Sequence, residues 1–140
     1  MADIFRLVNR VKHARLQAIA TDVSVGHSEG NRAQLWLLTG SPPLIAGAAT
    51  VETVIMTVDL PFPLVDEIAN ANMAWNPLDP GIALDAGTIG WGRFVRADGT
   101  TVVGDCSAGL QGSNSMIELS QVDVLAGTII TISIANIAEL

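Results

Sequence analysis

The residues that could carry a chemical reaction are few in this sequence. Asp105, Cys106 and Ser107 are consecutive, and they place a thiol and a hydroxyl next to a carboxylate, as nucleophilic catalysis requires. Such a nucleophile needs a base, and His13 and His27 are the only histidines. No G-x-S-x-G turn or protease-type cysteine context surrounds the three residues. The pattern favours a buried structural Cys106, and a lone cysteine excludes an internal disulfide.

The usual motifs for metals and nucleotides are also missing. Neither histidine lies in an H-E-x-x-H spacing, and no dense D-x-D-x-D run is present to bind calcium. Gly87, Gly90 and Gly92 precede a predicted hairpin, whereas a dinucleotide fingerprint opens a helix. Five aspartates are scattered through predicted turns: Asp79, Asp85, Asp98, Asp105 and Asp123. We therefore predict a non-enzymatic protein without cofactor or metal; a small enzyme with a spatially assembled carboxylate pair is an alternative.

The charge of the chain is distributed unevenly. Residues 1–32 contain five basic and three acidic residues, a net charge of +2, whereas residues 33–140 contain two basic and eleven acidic residues, a net charge of −9. Binding to phosphates needs clustered lysine and arginine, so the acidic body predicts no direct nucleic-acid binding. Hydrophobic residues make up 49% and charged residues only 15% of the chain, a composition that suits a permanently assembled protein.

No segment predicts membrane insertion. The longest apolar runs fall short of the roughly 18 residues that a membrane-spanning helix needs. The opening residues interleave charged and apolar side chains and lack the apolar core of a signal peptide. We predict a protein that is made in a reducing compartment and has no membrane partner.

The N-terminal residues have helical periodicity. Apolar side chains recur at spacings of three and four, which predicts an amphipathic helix of about four or five turns: Ile4, Leu7, Val8, Val11, Ala14, Ala18 and Ile19. Asp3 is predicted to cap its start, and residues 21–26 contain a plausible stop. We divide the chain into an N-terminal helical arm, residues 1–26, and a β-sandwich, residues 27–140, within a single domain.

From residue 33 the pattern changes to short β-strands. Residues 33–39 form an apolar run that ends at the turn Gly40-Ser41-Pro42-Pro43, and residues 51–60 alternate strictly, with Val54, Met56, Val58 and Leu60 on one face. Residues 88–96 and 100–105 flank Ala97-Asp98-Gly99, the strongest hairpin signal. Further strands are predicted at residues 115–119 and 128–137, and a short one at residues 72–76 inside an irregular, proline-containing segment, residues 61–85.

Gly90 and Gly92 interrupt the side-chain packing of the first strand of the predicted hairpin. Both lie on one face of the strand, where glycine weakens packing. We expect a bulge or the close approach of another backbone there. After one helix, about seven short strands separated by turn residues predict a mainly β fold, an antiparallel β-sandwich of jelly-roll or Greek-key type with one N-terminal amphipathic helix.

Three stretches of sequence carry a resemblance. LWLLTGSPP occupies residues 35–43, GTIGWGRFV residues 87–95 and DGTTVV residues 98–103. The chain resembles, at these places, a family of small tailed-bacteriophage virion proteins that decorate or cement capsids. A polar stretch, residues 109–115, and an alternating final strand, residues 128–137, correspond to the rest of the family pattern. The N-terminal helix and the proline-rich residues 61–80 depart from it, which leaves a tail or neck position open.

This resemblance implies the function that we expect. It implies a viral capsid decoration protein of jelly-roll fold that binds the outer surface of a major capsid protein shell and stabilises it by self-association, as a homodimer. The expected location is the capsid surface of the virion, after synthesis in the host cytoplasm. The alternative is another virion component, in the tail or neck, or a carbohydrate-binding β-sandwich with Trp36, Trp75 or Trp91 as an exposed platform, although buried tryptophans are the simpler expectation.

The basic arm is the expected partner-binding segment. We predict that residues 1–20 dock on a neighbouring subunit, with apolar contacts surrounded by basic side chains: Ile4, Arg6, Leu7, Val8, Arg10, Val11, Lys12 and Arg15. Packing of the helix on its own sandwich is the equal alternative.

Overall fold

The computed structural model describes residues 7–138. Within them the fold is mainly β, as the sequence predicts: 41% of the residues lie in strands and 11% in a single helix. The elements in chain order are α1 (Asn9–Val23), β1 (Gln34–Thr39), β2 (Val54–Asp59), β3 (Val65–Ala69), β4 (Asn72–Trp75), β5 (Gly81–Ile82), β6 (Gly87–Val95), β7 (Val102–Leu110), β8 (Ile117–Leu119), β9 (Asp123–Val124), β10 (Ile129–Ile130), β11 (Ile132–Ile134) and β12 (Ile137–Ala138).

The largest sheet is mixed and curled. Its strand order is β11-β8-β7-β6-β1-β2, and β9 pairs separately with β6. All of these pairs are antiparallel except β7 with β8, which run parallel. The expectation of a purely antiparallel arrangement is therefore wrong for this pair. Two smaller sheets, β10-β5 and β12-β4-β3, pack beside it.

The predicted β6–β7 hairpin is confirmed. Gly99 has a φ of +76°, a conformation that glycine adopts without a steric penalty. Asp98 accepts hydrogen bonds from the backbone amides of Thr100 and Thr101, at 2.9 and 2.8 Å. These contacts lower the pKa of Asp98 to about 2, the largest contribution coming from the Thr101 side chain. The expected close approach at Gly90 is also present: a Cβ there would lie 2.0 Å from the Gly40 carbonyl oxygen.

Strand β2 departs from strict alternation at Ile55, although Asp59 on the predicted outer face is exposed. Met56, Val58 and Leu60 are buried as expected, but Ile55 on the opposite face is also fully buried. The pairing of β1 with β2 shifts between Leu37 and Leu38, so β2 does not follow simple alternation. A bulge of this kind changes which side chains point inward, and the sequence period alone does not reveal it.

The segment predicted to be irregular contains a hairpin. Strand β4 agrees with the short strand expected at residues 72–76, whereas β3, its partner, was not predicted. The adjacent acids Asp66 and Glu67 interrupt the apolar alternation of β3. Asn70 and Ala71 form the turn with φ values of +53° and +59°, as a tight hairpin turn requires. Strand β5 follows in the same segment.

The final predicted strand, residues 128–137, is three strands in three sheets. Strand β10 pairs with β5, β11 with β8, and β12 with β4. The chain changes partner at Thr131, between Ile130 and Ile132, while its alternating pattern continues. Alternation reports which side chains face the core but not which strand is the neighbour. Strand β9 was not predicted because it has only two residues.

The helix packs on the β3–β4 hairpin. It begins at Asn9 with Val8 as its N-cap, so the predicted cap Asp3, which lies outside the described residues, does not start it. It ends at Val23, within the predicted stop region. Its buried side chains are Leu16, Ala20 and Val23, and the first two pack with Met73. The buried stripe therefore differs from the apolar stripe that the sequence predicts.

Candidate interaction surfaces

Cys106 lies on the core side of β7. Its thiol is 3.6 Å from the Gly92 carbonyl oxygen, to which it donates a hydrogen bond. Burial, with a smaller contribution from the charge of Asp105, raises the pKa of the Cys106 thiol to about 12. The thiolate is the reactive form, so this thiol is unreactive at neutral pH. The neighbouring Ser107 hydroxyl accepts a hydrogen bond from the backbone amide of Met116.

His27 is fixed by two backbone hydrogen bonds. The Ala33 amide donates to Nδ1 at 2.9 Å, so Nε2 carries the proton and donates to the Pro61 carbonyl, also at 2.9 Å. The ring therefore joins the residues after α1 to the end of β2, and both nitrogens are engaged. His13 is exposed on α1. Among residues 7–138 no three metal-ligating side chains are grouped to hold a metal ion.

Arg93 and Asp105 form a buried ion pair between β6 and β7. Arg93 Nε lies 2.7 Å from Asp105 Oδ1, and each side chain is 6% exposed. Burial raises the pKa of Asp105, but hydrogen bonds from Arg93 and the Gly47 amide outweigh it and hold the pKa below its usual value. The guanidinium carbon of Arg93 lies 5.0 Å from the ring centroid of Trp91. Asp105 is thus a strand residue with a charged partner, not the turn residue that was predicted.

The ion pair fixes residues 40–53, here called the outer loop. Arg93 Nη2 donates to the Ala48 carbonyl at 2.8 Å, and the Gly47 amide donates to Asp105 Oδ2 at 3.0 Å. Trp91 beneath the loop is fully buried, and its indole N–H donates to the Thr39 carbonyl. The outer loop therefore covers one face of the main sheet.

The tip of the outer loop is apolar and exposed. Leu44, Ile45 and Val51 are 106%, 76% and 101% exposed. Residues 40–51 contain no charged side chain, and Ser41 and Thr50 are their only polar side chains. Exposed apolar groups that are held in place mark interaction sites more often than singly scattered ones do. The apolar run at residues 44–49 between two strands was the available sequence signal.

A second apolar surface lies on the ribbon, here defined as β5, β10 and the turn at residues 125–128. Ile82 and Ile129 are directly opposite each other and are 58% and 68% exposed. The ladder continues through hydrogen bonds between Ala83 and residues 127 and 128, which places the exposed Leu84 on the same face. Leu125, at the turn, is 72% exposed. The face that points to solvent in such a ribbon is normally polar.

The inward face of the ribbon explains its orientation. Gly81, Ala83 and Ile130 are buried, and a Cβ on Gly81 would lie 2.1 Å from the Met56 side chain. Small residues therefore alternate with large ones along β5, with the small ones inward. The sequence Gly81-Ile82-Ala83-Leu84 contains this signal, which an amphipathic interpretation overlooks because all four residues are apolar or small.

The predicted partner-binding residues are partly outside the described chain. Ile4 and Arg6 lie outside residues 7–138. Of the others, Val8, Arg10 and Arg15 are exposed and the remaining three, Leu7, Val11 and Lys12, are half-buried. Val8 is 61% exposed.

Two stripes run along α1. One contains Leu16 and Ala20, which pack with Met73 of the β3–β4 hairpin, and Val23, which packs in the main core. The other is rotated about 150° around the helix, at 100° per residue, and its side chains are exposed or half-buried: Val8, Val11, Ala14 and Ala18. The predicted apolar stripe is thus mainly the one that the body of the protein leaves uncovered.

The three tryptophans differ in exposure. Trp91 is buried, so an exposed platform there is wrong. Trp75 is half-buried and stacks on Phe94 with ring centroids 5.7 Å apart. Trp36 is also half-buried, and its indole N–H donates to Gln34. Gln34 lines a polar groove of about 510 Å³ together with Arg32, Asp59, Asp79 and Arg96.

Comparisons with known proteins give no relative: no family model, curated protein or solved structure matches the chain. No helix within residues 7–138 has the length and hydrophobicity that crossing a bilayer requires. The two exposed apolar surfaces and the uncovered stripe of α1 are therefore the features from which a function can be inferred.

Proposed function

We propose that this chain is a non-enzymatic viral capsid decoration protein that binds the outer surface of a major capsid protein shell and stabilises it by self-association. The observation that carries the proposal is the exposed apolar tip of the outer loop, Leu44, Ile45 and Val51, on a buried ionic anchor. The location is the capsid surface of the virion, after synthesis in the host cytoplasm. We also propose that the mainly β fold is a jelly-roll sandwich.

The anchor supports a docking role for the loop. A loop that is ordered before it binds loses little conformational entropy on binding, so its apolar contacts contribute more to affinity. In the outer loop the Gly47 amide donates to Asp105 and the Ala48 carbonyl accepts from Arg93, while Leu44, Ile45 and Val51 are exposed. A decoration protein must bind many identical sites on a shell, and a rigid apolar projection on a charge-poor body suits that task.

The experiment uses particles and the purified chain. Shells that lack this protein are incubated with the wild-type chain, and bound chain is measured after sedimentation of the shells. We expect saturable binding at a fixed ratio to the major capsid protein. The double variant Leu44→Ser/Val51→Ser is expected to lose at least tenfold in affinity, since two exposed apolar contacts are removed without touching the core.

A matched control separates the loop from general surface hydrophobicity. Val25 is 50% exposed and lies after α1, away from the outer loop, so Val25→Ser is expected to bind shells as the wild type does. An antibody against the chain, applied to purified virions, gives the position. Label on the tail, or no wild-type binding to shells, would contradict capsid decoration.

A carbohydrate-binding module is the second candidate because Trp36 lies beside Gln34, a residue of the polar groove. Sugars bind to polar clefts that have an aromatic platform at hand. Tryptophan fluorescence titrated with a panel of glycans tests this candidate. A saturable shift that Trp36→Phe abolishes would favour it over capsid decoration.

A further inference from the structure

Three aspartates lie next to the apolar residues of the ribbon. Asp85 follows Leu84, Asp123 precedes Leu125 by two residues, and Asp79 lines a groove together with Ile82. All three aspartates are exposed. A partner for this face therefore needs apolar side chains at its centre and positive charge around them.

The body of the protein neutralises this acidic border only in part. Arg32 and Arg96 line the polar groove together with Asp79, and Arg96 also lies 3.1 Å from Asp22 on α1, whereas Arg93 pairs with the buried Asp105. Asp85 and Asp123 accept hydrogen bonds from the Ala86 amide and the Thr88 hydroxyl, which leave their charges in place.

The uncovered stripe of α1 has the complementary character. Val8, Val11 and Ala14 recur at a spacing of three on one side of the helix, and Val8 and Ala14 are exposed. Arg10 and Lys12 flank the stripe. Asp22, in the last turn, is the one acidic side chain of α1, whereas Arg10, Lys12 and Arg15 lie in its first half. Within one copy the buried stripe of α1, not this one, packs on the β3–β4 hairpin, and β5 of the ribbon lies against β2.

We propose that the ribbon binds the uncovered stripe of α1 from a second copy of this chain, and that two copies exchange this contact reciprocally. This inference rests on the proposed function, because it names the surfaces that would produce the self-association. Ile82, Leu84 and Ile129 meet Val8, Val11 and Ala14 of the second copy, and the acidic border meets Arg10 and Lys12. Both the shape of the contact and its charge follow from side chains that residues 7–138 present to solvent.

The size of the surface favours a reciprocal dimer. Four aliphatic side chains cover on the order of 400 Å². A standard protein interface buries about 800 Å² on each partner, so a single contact is about half of what a stable pair needs. A two-fold arrangement uses the same contact twice and reaches that size. We therefore expect a closed dimer and not an open chain of copies.

The experiment measures the mass of the full chain by light scattering and sedimentation. We expect twice the monomer mass at micromolar concentration, with dissociation as salt rises, because the charged border is exposed and screened. The arm variant Arg10→Glu/Lys12→Glu and the border variant Asp79→Lys/Asp85→Lys are each expected to be monomeric. Circular dichroism verifies that both remain folded.

Mixing the two variants gives the decisive result. Each variant alone cannot dimerise, because its arm and border then carry charges of the same sign. In a mixed dimer the glutamate arm of one copy meets the lysine border of the other, and the wild-type arm of the second copy meets the wild-type border of the first, so both contacts are restored. We expect a dimer only in the mixture. The control Asp66→Lys/Glu67→Lys makes the same change of charge on β3 and is expected to dimerise as the wild type does.

Other outcomes would overturn the inference. A wild-type chain that is monomeric or forms larger assemblies contradicts a reciprocal dimer, and dimers of either variant alone place self-association on another surface. A mixture that stays monomeric contradicts the pairing of arm and border. None of these results alters binding of the outer loop to shells, which the sedimentation experiment measures separately.

Discussion

The outer loop and the ribbon both expose apolar side chains, but they are held in different ways. The outer loop has no regular strand, and its conformation depends on the charges of Arg93 and Asp105 beneath it. The ribbon has no ionic contact, and its orientation depends on Gly81, Ala83 and Ile130 fitting into the core. One surface is therefore positioned by buried polar groups and the other by steric fit.

This difference teaches where each surface is sensitive to mutation. Removing one member of a buried ion pair leaves an unpaired charge, which costs far more than the pair itself contributes. Enlarging a small inward residue produces overpacking, whose cost depends on how far the neighbours can move. The exposed side chains themselves should matter for binding and not for folding.

Breaking the anchor has the largest expected effect. In Asp105→Ala the guanidinium of Arg93 stays buried without its carboxylate, so we expect the free energy of unfolding to fall by about 3–5 kcal/mol. Urea denaturation monitored by tryptophan fluorescence measures this, since Trp91 lies beneath the outer loop.

The pair of Arg96 with Asp22 is the control for that prediction. Its side chains are 25% and 51% exposed, so Asp22→Ala should lower the free energy of unfolding by less than about 1 kcal/mol. Equal losses for Asp105→Ala and Asp22→Ala would show that burial of the first pair does not determine the stability of the loop.

Enlarging the inward side of the ribbon has the next largest effect. A Cβ on Gly81 would lie 2.1 Å from Met56 Cε, the end of a flexible side chain, and 3.0 Å from Val58 Cγ2, so Gly81→Ala should lower the free energy of unfolding by about 1 kcal/mol, the lower end of the cost of overpacking. Ile82→Ala, one residue along and facing outward, should stay within about 0.5 kcal/mol of the wild type. Thermal or urea unfolding of both variants measures the contrast, and a larger loss for Ile82→Ala would reverse the assignment of the faces.

The anchor also predicts a dependence on pH that the ribbon lacks. The pKa of Asp105 is lower in the folded protein than its unfolded value of about 3.9, so the carboxylate stabilises the fold above that pH. This contribution is lost as pH falls through the lower, folded pKa. The difference in free energy of unfolding between wild type and Asp105→Asn should therefore be largest above pH 4 and shrink below it.

Asp98 titrates in the same acidic range, but it does not alter the difference in free energy of unfolding between wild type and Asp105→Asn. Its pKa of about 2 reflects hydrogen bonds from Thr101 and Thr100 in the hairpin turn, which Asp105→Asn leaves intact. The Asp98 contribution is common to both proteins and cancels in the difference. A difference that stays constant from pH 7 to pH 2 would contradict the role assigned to the Asp105 carboxylate.

The sequence predicts elements with strong local signals and fails where long-range pairing decides. The β6–β7 hairpin follows from Asp98-Gly99, and the close backbone contact follows from Gly90. The alternation at residues 128–137 cannot show that the chain changes partner at Thr131, because each sheet demands the same period. The jelly-roll arrangement depends on such pairings, so local patterns cannot establish it.

The candidate surfaces were largely hidden in the sequence for a related reason. The basic arm is visible as a run of charges, but its buried stripe depends on where the helix begins, at Asn9 and not near Asp3. The anchor joins residues 93 and 105 to a loop about 45 residues earlier, and no local pattern connects them. The ribbon joins residues 81–84 to residues 127–130 across most of the second half of the chain.

The smallest expected effects test whether the exposed apolar side chains serve binding alone. Leu44 on the outer loop and Leu125 on the ribbon are 106% and 72% exposed, so little apolar area of either is removed from water when the monomer folds. Leu44→Ser and Leu125→Ser should each change the free energy of unfolding by no more than about 0.5 kcal/mol, measured in dilute protein where the chain is monomeric. At higher concentration the two should diverge: Leu125→Ser weakens self-association and Leu44→Ser does not. A clear loss of monomer stability in either variant would mean that the side chain is part of the core, and that surface could no longer be offered for docking.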